Sequence, residues 1–239
     1  MKTAAIIVAA GSGSRFQSDT PKQFIEIAAK SVLDHTVGRF QSAPSVDLIV
    51  VVLGSDQAGA FDASAFSKVL RIVRGGSSRA ESVRNGLASI DADIVAVHDG
   101  ARPLVSMDEI ERTITKAKEI GAACLVAPVT DTIKSIRGGE IADTLDREKL
   151  RRALTPQAFK TEILRKAFEG VDLSDSVTDE CYLVEKLGHP IAIVEGSSRN
   201  IKITHPEDLV LAEALLNSEP EDRKRQPQTE SSRRKAADR

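Results

Sequence analysis

The residues best suited to chemistry lie in the first turn of the chain. The apolar run Ala4-Ala5-Ile6-Ile7-Val8-Ala9-Ala10 ends in Gly11-Ser12-Gly13-Ser14-Arg15, and Pro21-Lys22-Gln23 follows closely. Glycines at 11 and 13 remove side chains, so successive exposed N–H groups can form a nest for phosphate oxygens. Arg15 and Lys22 place two positive charges beside that nest. From glycine spacing alone a plain strand-to-helix turn fits equally well, and the two cations tilt the reading toward phosphate. Neither familiar fingerprint is present. A Walker loop would end in Gly-Lys-Ser/Thr, and a dinucleotide turn would need a third glycine where Phe16 stands.

Two more stretches have polar residues in the right company. Arg74-Gly75-Gly76-Ser77-Ser78-Arg79-Ala80-Glu81-Ser82 leads glycines and hydroxyls into a helical pattern, whose first N–H groups suit an anion or a polar ligand edge. His98-Asp99-Gly100-Ala101-Arg102-Pro103 sets a carboxylate and a guanidinium close together. Each has a purely structural alternative: Ser78 as a helix N-cap, Asp99 and Arg102 as a local ion pair. Late in the chain, Lys202 stands between Ile201 and Ile203, which places its charge on the opposite face from both, at a solvated edge or aimed at an anion.

The elements that must position these residues alternate. The first run is too short to span a membrane and too rich in β-branched residues for an obvious helix, so it reads as a buried strand. Apolar runs at Leu48–Leu53, Val69–Val73, Ile94–Val97 and Ala122–Val126 read as further buried parallel strands. Helical patterns cover Ser31–Gln41, Asp56–Ser67, Arg79–Ile90 and Met107–Ile120. Regular βαβα order implies an α/β fold with a doubly wound sheet and right-handed crossovers. Ligands of such sheets bind outside the carboxyl ends of the strands, where the three loops above are expected.

The middle of the chain departs from this order. Asp131–Arg137 and Glu140–Leu145 alternate polar and apolar residues around Gly138-Gly139, the pattern of a hairpin with a two-residue turn. An isolated hairpin is marginal in water, so it must pack on a second subunit or fold back as a flap. Thr155-Pro156-Gln157 precedes a helix at Thr161–Phe168, and Thr178 reads as the N-cap of a helix over 179–187. A strand at Ile191–Val194, the loop Glu195–Asn200 and a final helix to about Leu216 complete the domain. Residues 217–239 are charged and polar with hardly an apolar residue, a composition that predicts disorder.

Composition narrows the function. Lys and Arg number 33 against 35 Asp and Glu, a formal charge of −2, and aromatics are 3% with no Trp. Neither favours a nucleic-acid partner. No run approaches the roughly 20 apolar residues of a membrane span, and the N-terminus lacks the pattern of a signal peptide. Cys124 and Cys181 are too few for a zinc cluster and read as free thiols, which fits a cytoplasmic enzyme.

Taken in order, Ala9–Arg15 with Pro21-Lys22-Gln23, His98–Pro103, Ala127-Pro128-Val129-Thr130-Asp131-Thr132-Ile133-Lys134, Thr155-Pro156-Gln157, Thr178-Asp179-Glu180 and Asn200-Ile201-Lys202 resemble the 2-C-methyl-D-erythritol 4-phosphate cytidylyltransferase family over about residues 3–216. The resemblance implies a Rossmann-like nucleotidyltransferase fold and a homodimer joined through protruding hairpin arms, here about residues 131–152. It also implies a Mg²⁺-dependent reaction of CTP with methylerythritol 4-phosphate. By the same resemblance Arg15 and Lys22 are catalytic, and Ala9, Ala10, Gly11 and Gly13 cradle the CTP phosphates. Gly76, Ser77, Arg79, Ser82 and Gly100 would bind the rest of the nucleotide. Arg102, Thr178 and Lys202 belong to the substrate set, joined by Thr132 and Arg147 from the partner's arm, and Asp99 stands where a metal-linked or substrate-orienting carboxylate is expected. Ser77 replaces a frequent acidic residue and Gly100 a usual alanine, which leaves the base contacts open. A ribitol 5-phosphate cytidylyltransferase and a non-catalytic nucleotide-binding module are the competing readings.

Overall fold

A computed structural model of the chain describes residues 1–11, 16, 20–171 and 177–218. Gly13, Arg15 and the tail beyond 218 lie outside the described residues.

The central sheet has seven strands: β1 (Thr3–Ala9), β4 (Leu48–Leu53), β5 (Val69–Arg74), β6 (Ile94–Asp99), β7 (Ala122–Pro128), β10 (Arg151–Lys160) and β11 (Ala192–Glu195). Their order is β11-β7-β10-β6-β1-β4-β5. Pairings among β1, β4, β5 and β6, and between β7 and β11, are parallel; β10 runs antiparallel to both β6 and β7. The sheet is therefore mixed and mostly parallel. Strand β1 is buried on both faces, as its continuous apolar run requires. Ala5, Ile7 and Ala9 point into one apolar layer and Ala4, Ile6 and Val8 into the other, the period-two alternation of a pleated strand. Each fully buried Ile of this pair contributes roughly 1.5–3 kcal/mol.

Helices cover both faces. The layer of Ile7 includes residues of α1 (Val32–Ser42) and α3 (Met107–Ile120); that of Ile6 includes residues of α2 (Arg79–Ala88), α4 (Thr161–Phe168) and α5 (Glu180–Lys186). Ser31 and Ser106 begin α1 and α3 with reciprocal capping boxes, using Asp34 and Glu109. The last helix, α6 (Glu207–Asn217), packs with the small hairpin β2 (Glu26–Ile27) and β3 (Lys30–Ser31) in a third apolar cluster that includes Ile203. The helix thus extends one residue beyond the expected Leu216.

Three sequence expectations are corrected. Asp56–Ser67 is not an α-helix but two short 3₁₀ turns, Ala58–Ala60 and Ala63–Ala65. Asp62 accepts from the Ser64 N–H, so a side chain competes with the helical ladder, and Phe61 stacks on Phe66 with ring centroids 5.6 Å apart. The cap of α5 is Asp179, which accepts from the Tyr182 N–H, and not Thr178. Val69–Val73 belongs to a parallel strand, but β5 is at the edge of the sheet and none of its residues is buried. Thr155-Pro156-Gln157 precedes α4 as expected and lies inside β10, at an irregularity of the ladder between Ala153 and Gln157, with a cis peptide before Pro156.

The predicted hairpin forms from β8 (Lys134–Arg137) and β9 (Glu140–Thr144), with positive φ at both Gly138 and Gly139. It is a separate two-stranded sheet, and Ile136 and Ile141 remain 71% and 68% exposed.

In the turn between β2 and β3, Ala28 and Ala29 both have positive φ, at 47° and 65°. Without a polar side chain to support it, an L-residue in this region is strained by roughly 1 kcal/mol. Ala28→Asn with Ala29→Gly should raise the unfolding free energy by about 1 kcal/mol, measured by urea titration. Unchanged or lower stability would show that this turn carries no such strain.

Candidate functional site

The three loops meet at the carboxyl ends of β1, β5 and β6, as the switch-point rule expects. They pack so closely that a Cβ at Gly100 would stand 2.7 Å from that of Ala9, and one at Gly75 would overlap that of Ala10. Between them opens a cleft of about 520 Å³, lined by Ala9, Ala10, Gly11, Lys22, Gly76, Ser77, Arg79, Ser82, Asp99 and Lys202 from the sequence reading. Val8, Gln23, Ser78, Ala101 and Thr204 are the other described residues of the lining.

Asp99 is the electrostatic centre. Its Oδ1 accepts from Arg79 Nε at 3.0 Å, and its Oδ2 lies 2.9 Å from Lys202 Nζ and 3.4 Å from Arg102 Nε. Burial acts to raise the carboxyl pKa, but the three cations outweigh it and hold Asp99 well below the usual carboxylate range. Of the two sequence alternatives for Lys202, the one aimed at an anion is the one found. Arg102 is mostly buried behind Asp99 and donates to the Asn200 carbonyl at 2.8 Å. It supports the carboxylate from outside the cleft lining.

A second carboxylate stands behind the first. Arg79 also donates to Glu180 Oε1 at 2.7 Å, and Glu180 is fully buried at the start of α5. Burial raises the Glu180 pKa, an effect that nearby Arg79 opposes. For Arg79 itself, burial disfavours the charge, yet Glu180 and Asp99 together raise its pKa. A guanidinium shared by two carboxylates is fixed in direction as well as in charge.

The hydroxyls are more occupied than sequence could tell. Ser78 caps α2 by accepting from the Glu81 N–H. Ser82 Oγ accepts from the Gly76 N–H at 3.0 Å and donates to the Ser78 carbonyl at 2.9 Å, so it shapes the glycine turn while lining the cleft. Ser77 donates through both N–H and Oγ to Glu81 Oε2, each at 2.7 Å. This brings a carboxylate to the residue where the resemblance makes an acidic side chain frequent.

Sequence reasoning quoted Thr155-Pro156-Gln157 without a role, and the structure supplies one. Thr155 Oγ1 accepts from the Asp99 N–H and lies 3.0 Å from His98 Nδ1, while the Thr155 carbonyl accepts from Asn200 Nδ2. Gln157 donates to Asp179 Oδ2 and accepts from the Cys181 N–H. One short stretch therefore ties Asp99, the segment of Lys202 and the start of α5 together. Its signal in the sequence was only a Thr-Pro-Gln run beside a helix. Cys124 and Cys181 are both free and buried.

Other expected residues stand apart from this cleft. Thr178 is exposed just before α5, and Thr132 and Arg147 are exposed on the arm, where Arg147 donates to the Thr130 carbonyl at 2.9 Å. Gly100 packs beneath the cleft against β1 and donates its N–H to the Val8 carbonyl. Among the described residues no group of three or more His, Cys, Asp or Glu is placed to hold a metal ion, and no helix is long and apolar enough to cross a membrane.

A cleft with one carboxylate ringed by three cations thus opens at the carboxyl ends of the parallel strands of this α/β sheet, and the chain's relatives are nucleotidyltransferases. The chain belongs to the 2-C-methyl-D-erythritol 4-phosphate cytidylyltransferase family, whose profile matches residues 3–218. It is 41% identical over 231 residues to the enzyme of that name from Alkaliphilus oremlandii, covering 93% of this chain and 98% of the relative. Over 227 residues it is 43% identical to that of Syntrophus aciditrophicus, covering 91% and 97%. The crystal structure of 4-diphosphocytidyl-2C-methyl-D-erythritol synthase from Anaerococcus prevotii superposes with a TM-score of 0.80 at 29% identity, covering 90% of this chain and 98% of that one.

His98 yields a test of the site's architecture. Burial lowers its pKa to about 3, only partly offset by its hydrogen bond to the Arg102 carbonyl. The unfolded His, near 6.5, then binds more protons than the folded one between those values. Its contribution is fully present above about pH 6.5 and is lost as pH falls toward 3, with an upper bound of about 5 kcal/mol. Between pH 6.5 and 4.5 the unfolding free energy should fall with acidification, and His98→Gln should flatten that slope. A slope that survives the substitution would assign it to another group.

Proposed function

We propose that this chain transfers the cytidylyl group of CTP to 2-C-methyl-D-erythritol 4-phosphate, releasing pyrophosphate in isoprenoid precursor synthesis. The observation that carries this reading is the cleft of Lys22, Arg79 and Lys202 around Asp99, at the carboxyl ends of the parallel strands, where sheets of this kind bind ligands.

The chemistry asks little of acids and bases. A phosphate monoester is largely ionised at neutral pH, since its second pKa is about 6, so its oxygen is already a nucleophile. It forms a bond to the α-phosphorus as the bond from that phosphorus to the pyrophosphate oxygen breaks, and no proton need move. What the site must supply is neutralisation of two crowded anions, alignment, and charge stabilisation at phosphorus. Lys22 serves that last role, together with Arg15. Ala9, Ala10, Gly11 and Gly13 receive the triphosphate, while Gly76, Ser77, Arg79, Ser82 and Gly100 form the nucleoside side. Lys202, Arg102, Thr178 and Asp99 act on the methylerythritol phosphate side, Asp99 by holding its cations in place.

The divalent ion follows the same logic. Asp99 is the one carboxylate of the described cleft lining, and three cations already occupy it, so these residues do not form a metal cage. Mg²⁺ binds readily through phosphate oxygens while keeping several waters, so the nucleotide would bring it in, with Asp99 the carboxylate of the described lining available to its waters. There it would offset triphosphate charge.

The exposed arm favours a homodimer in which Thr132 and Arg147 complete the neighbour's site. Ile136 and Ile141 are uncovered in the single chain, and an isolated hairpin needs a packing partner. The reaction is placed in the cytoplasm, where CTP is available.

Pyrophosphate release from CTP should require methylerythritol phosphate; an equal rate with ribitol 5-phosphate would overturn the substrate, and no release with either would favour a binding module. Lys22→Ala should lower kcat by about 10²–10³-fold with a small change in the KM for CTP. A loss confined to CTP affinity would remove Lys22 from the chemistry. Mixing inactive Lys22→Ala and Arg147→Ala chains should restore activity through hybrid dimers carrying one intact site. No recovery in demonstrated hybrids would confine Arg147 to its own subunit.

A further inference from the structure

We infer that Gln23 is a positioning residue for Lys22, locked in that role by Gln57. The inference rests on the catalytic reading of Lys22 given above and adds two residues to it.

Gln23 follows Lys22 directly in the short 3₁₀ turn Lys22–Phe24 and is 2% exposed. Its Nε2 donates to the Ala9 carbonyl at 2.8 Å and to Gln57 Oε1 at 2.9 Å. Both hydrogens of one amide nitrogen are thereby engaged inside the protein. Ala9 ends β1, immediately before the phosphate turn, and its carbonyl is the point to which the 3₁₀ turn is moored. Gln57 is itself buried and fixed to the tip of β4: its N–H donates to the Gly54 carbonyl at 3.0 Å, and its Oε1 lies 3.4 Å from the Gly54 nitrogen. This small network joins the carboxyl ends of β1 and β4 to the backbone that carries Lys22.

The far end of Lys22 is oriented too. Its Nζ donates to the Ile203 carbonyl at 2.7 Å, beside Lys202, and the Ile203 N–H donates to the Ala101 carbonyl. The lysine thus spans the cleft between a moored base and a fixed acceptor. A long flexible side chain otherwise distributes its charge over many rotamers. An amide is the group this mooring requires: at Gln23 it offers two N–H donors to two oxygens. A carboxylate there would set oxygen against the Ala9 carbonyl, and an aliphatic chain would leave two buried acceptors without this donor.

The test is a double-mutant cycle on the full-length enzyme, reading kcat and the KM for CTP from pyrophosphate release, with thermal melting alongside. Gln23→Met keeps length and removes the donors. It should lower kcat about 10–100-fold, the range expected when a reacting charge is displaced by about 1 Å, with the KM for CTP changed less than about threefold. In a Lys22→Ala background the same substitution should change kcat less than about twofold, because there is no charge left to position. Gln57→Leu should lower kcat in the same direction by a smaller factor, with the same dependence on Lys22. It carries the comparison if Gln23→Met does not fold.

Equal kcat losses in the Lys22 and Lys22→Ala backgrounds, or a fall in melting temperature with kcat unchanged, would overturn the inference and leave the role of Lys22 standing. Unchanged kcat in Lys22→Ala alone would overturn both.

Discussion

The structure of the site depends on one constraint: Asp99 is a buried carboxylate that three cations must satisfy. Removing a carboxylate from water is costly, and that cost is offset only when opposite charges approach it with good geometry. Arg79 comes from the start of α2, Arg102 from the turn after β6, and Lys202 from the segment before α6. Asp99 therefore ties its own turn to two distant parts of the chain at one point. Because Arg79 is shared with Glu180, α5 is drawn to the same point. The charges that line the cleft are thereby aimed before any ligand arrives. Electrostatic catalysis requires such preorganisation, since charges that need not reorganise during reaction stabilise the transition state most.

The fold makes this economical. Parallel strands deliver their carboxyl ends to one rim, and close packing of the Gly75 and Gly100 backbones against Ala10 and Ala9 brings three loops within reach of one ligand. The antiparallel strand β10 then works from the other side. Thr155 receives the Asp99 N–H, and Gln157 holds the start of α5 by both ends of its amide. The same strand continues back toward the arm at residues 147–152. The strand that supports Asp99 thus also joins the sheet to the exposed arm.

A reaction between two anions explains what the cleft contains and how it is built. Besides Asp99 and the Gln23 amide, its described polar groups are cations, backbone N–H groups and hydroxyls, several of these engaged in shaping turns. His98, next to Asp99 in β6, is buried with its ring bonded to Thr155 and to the Arg102 carbonyl. Its depressed pKa keeps it neutral, which suits a structural support and adds no further charge to the cluster.

The α/β alternation, the buried strands other than the edge strand β5, the hairpin and the positions of the three ligand loops were legible in the sequence, because each rests on local periodicity or on turn residues with a definite backbone preference. Lys22, Arg79, Asp99 and Lys202 were legible as candidates, being charged residues at strand ends or beside glycines, and the structure brings them to one cleft. Local pattern failed where a distant partner decided the outcome. Asp56–Ser67 has helical spacing, but Asp62 bonds to its own neighbours and Gln57 is claimed by Gln23. Thr178 has the residue type of a cap, but Asp179 took that place with Gln157 supporting it. That β10 would enter the sheet antiparallel between β6 and β7, and that Asp99 would gather Arg79 and Lys202 besides its neighbour Arg102, lay beyond any local signal. Periodicity is set by the few residues that share a turn or a strand. Charge pairing and side-chain hydrogen bonding are settled by whichever groups the folded chain brings together, and here those come from opposite ends of the domain.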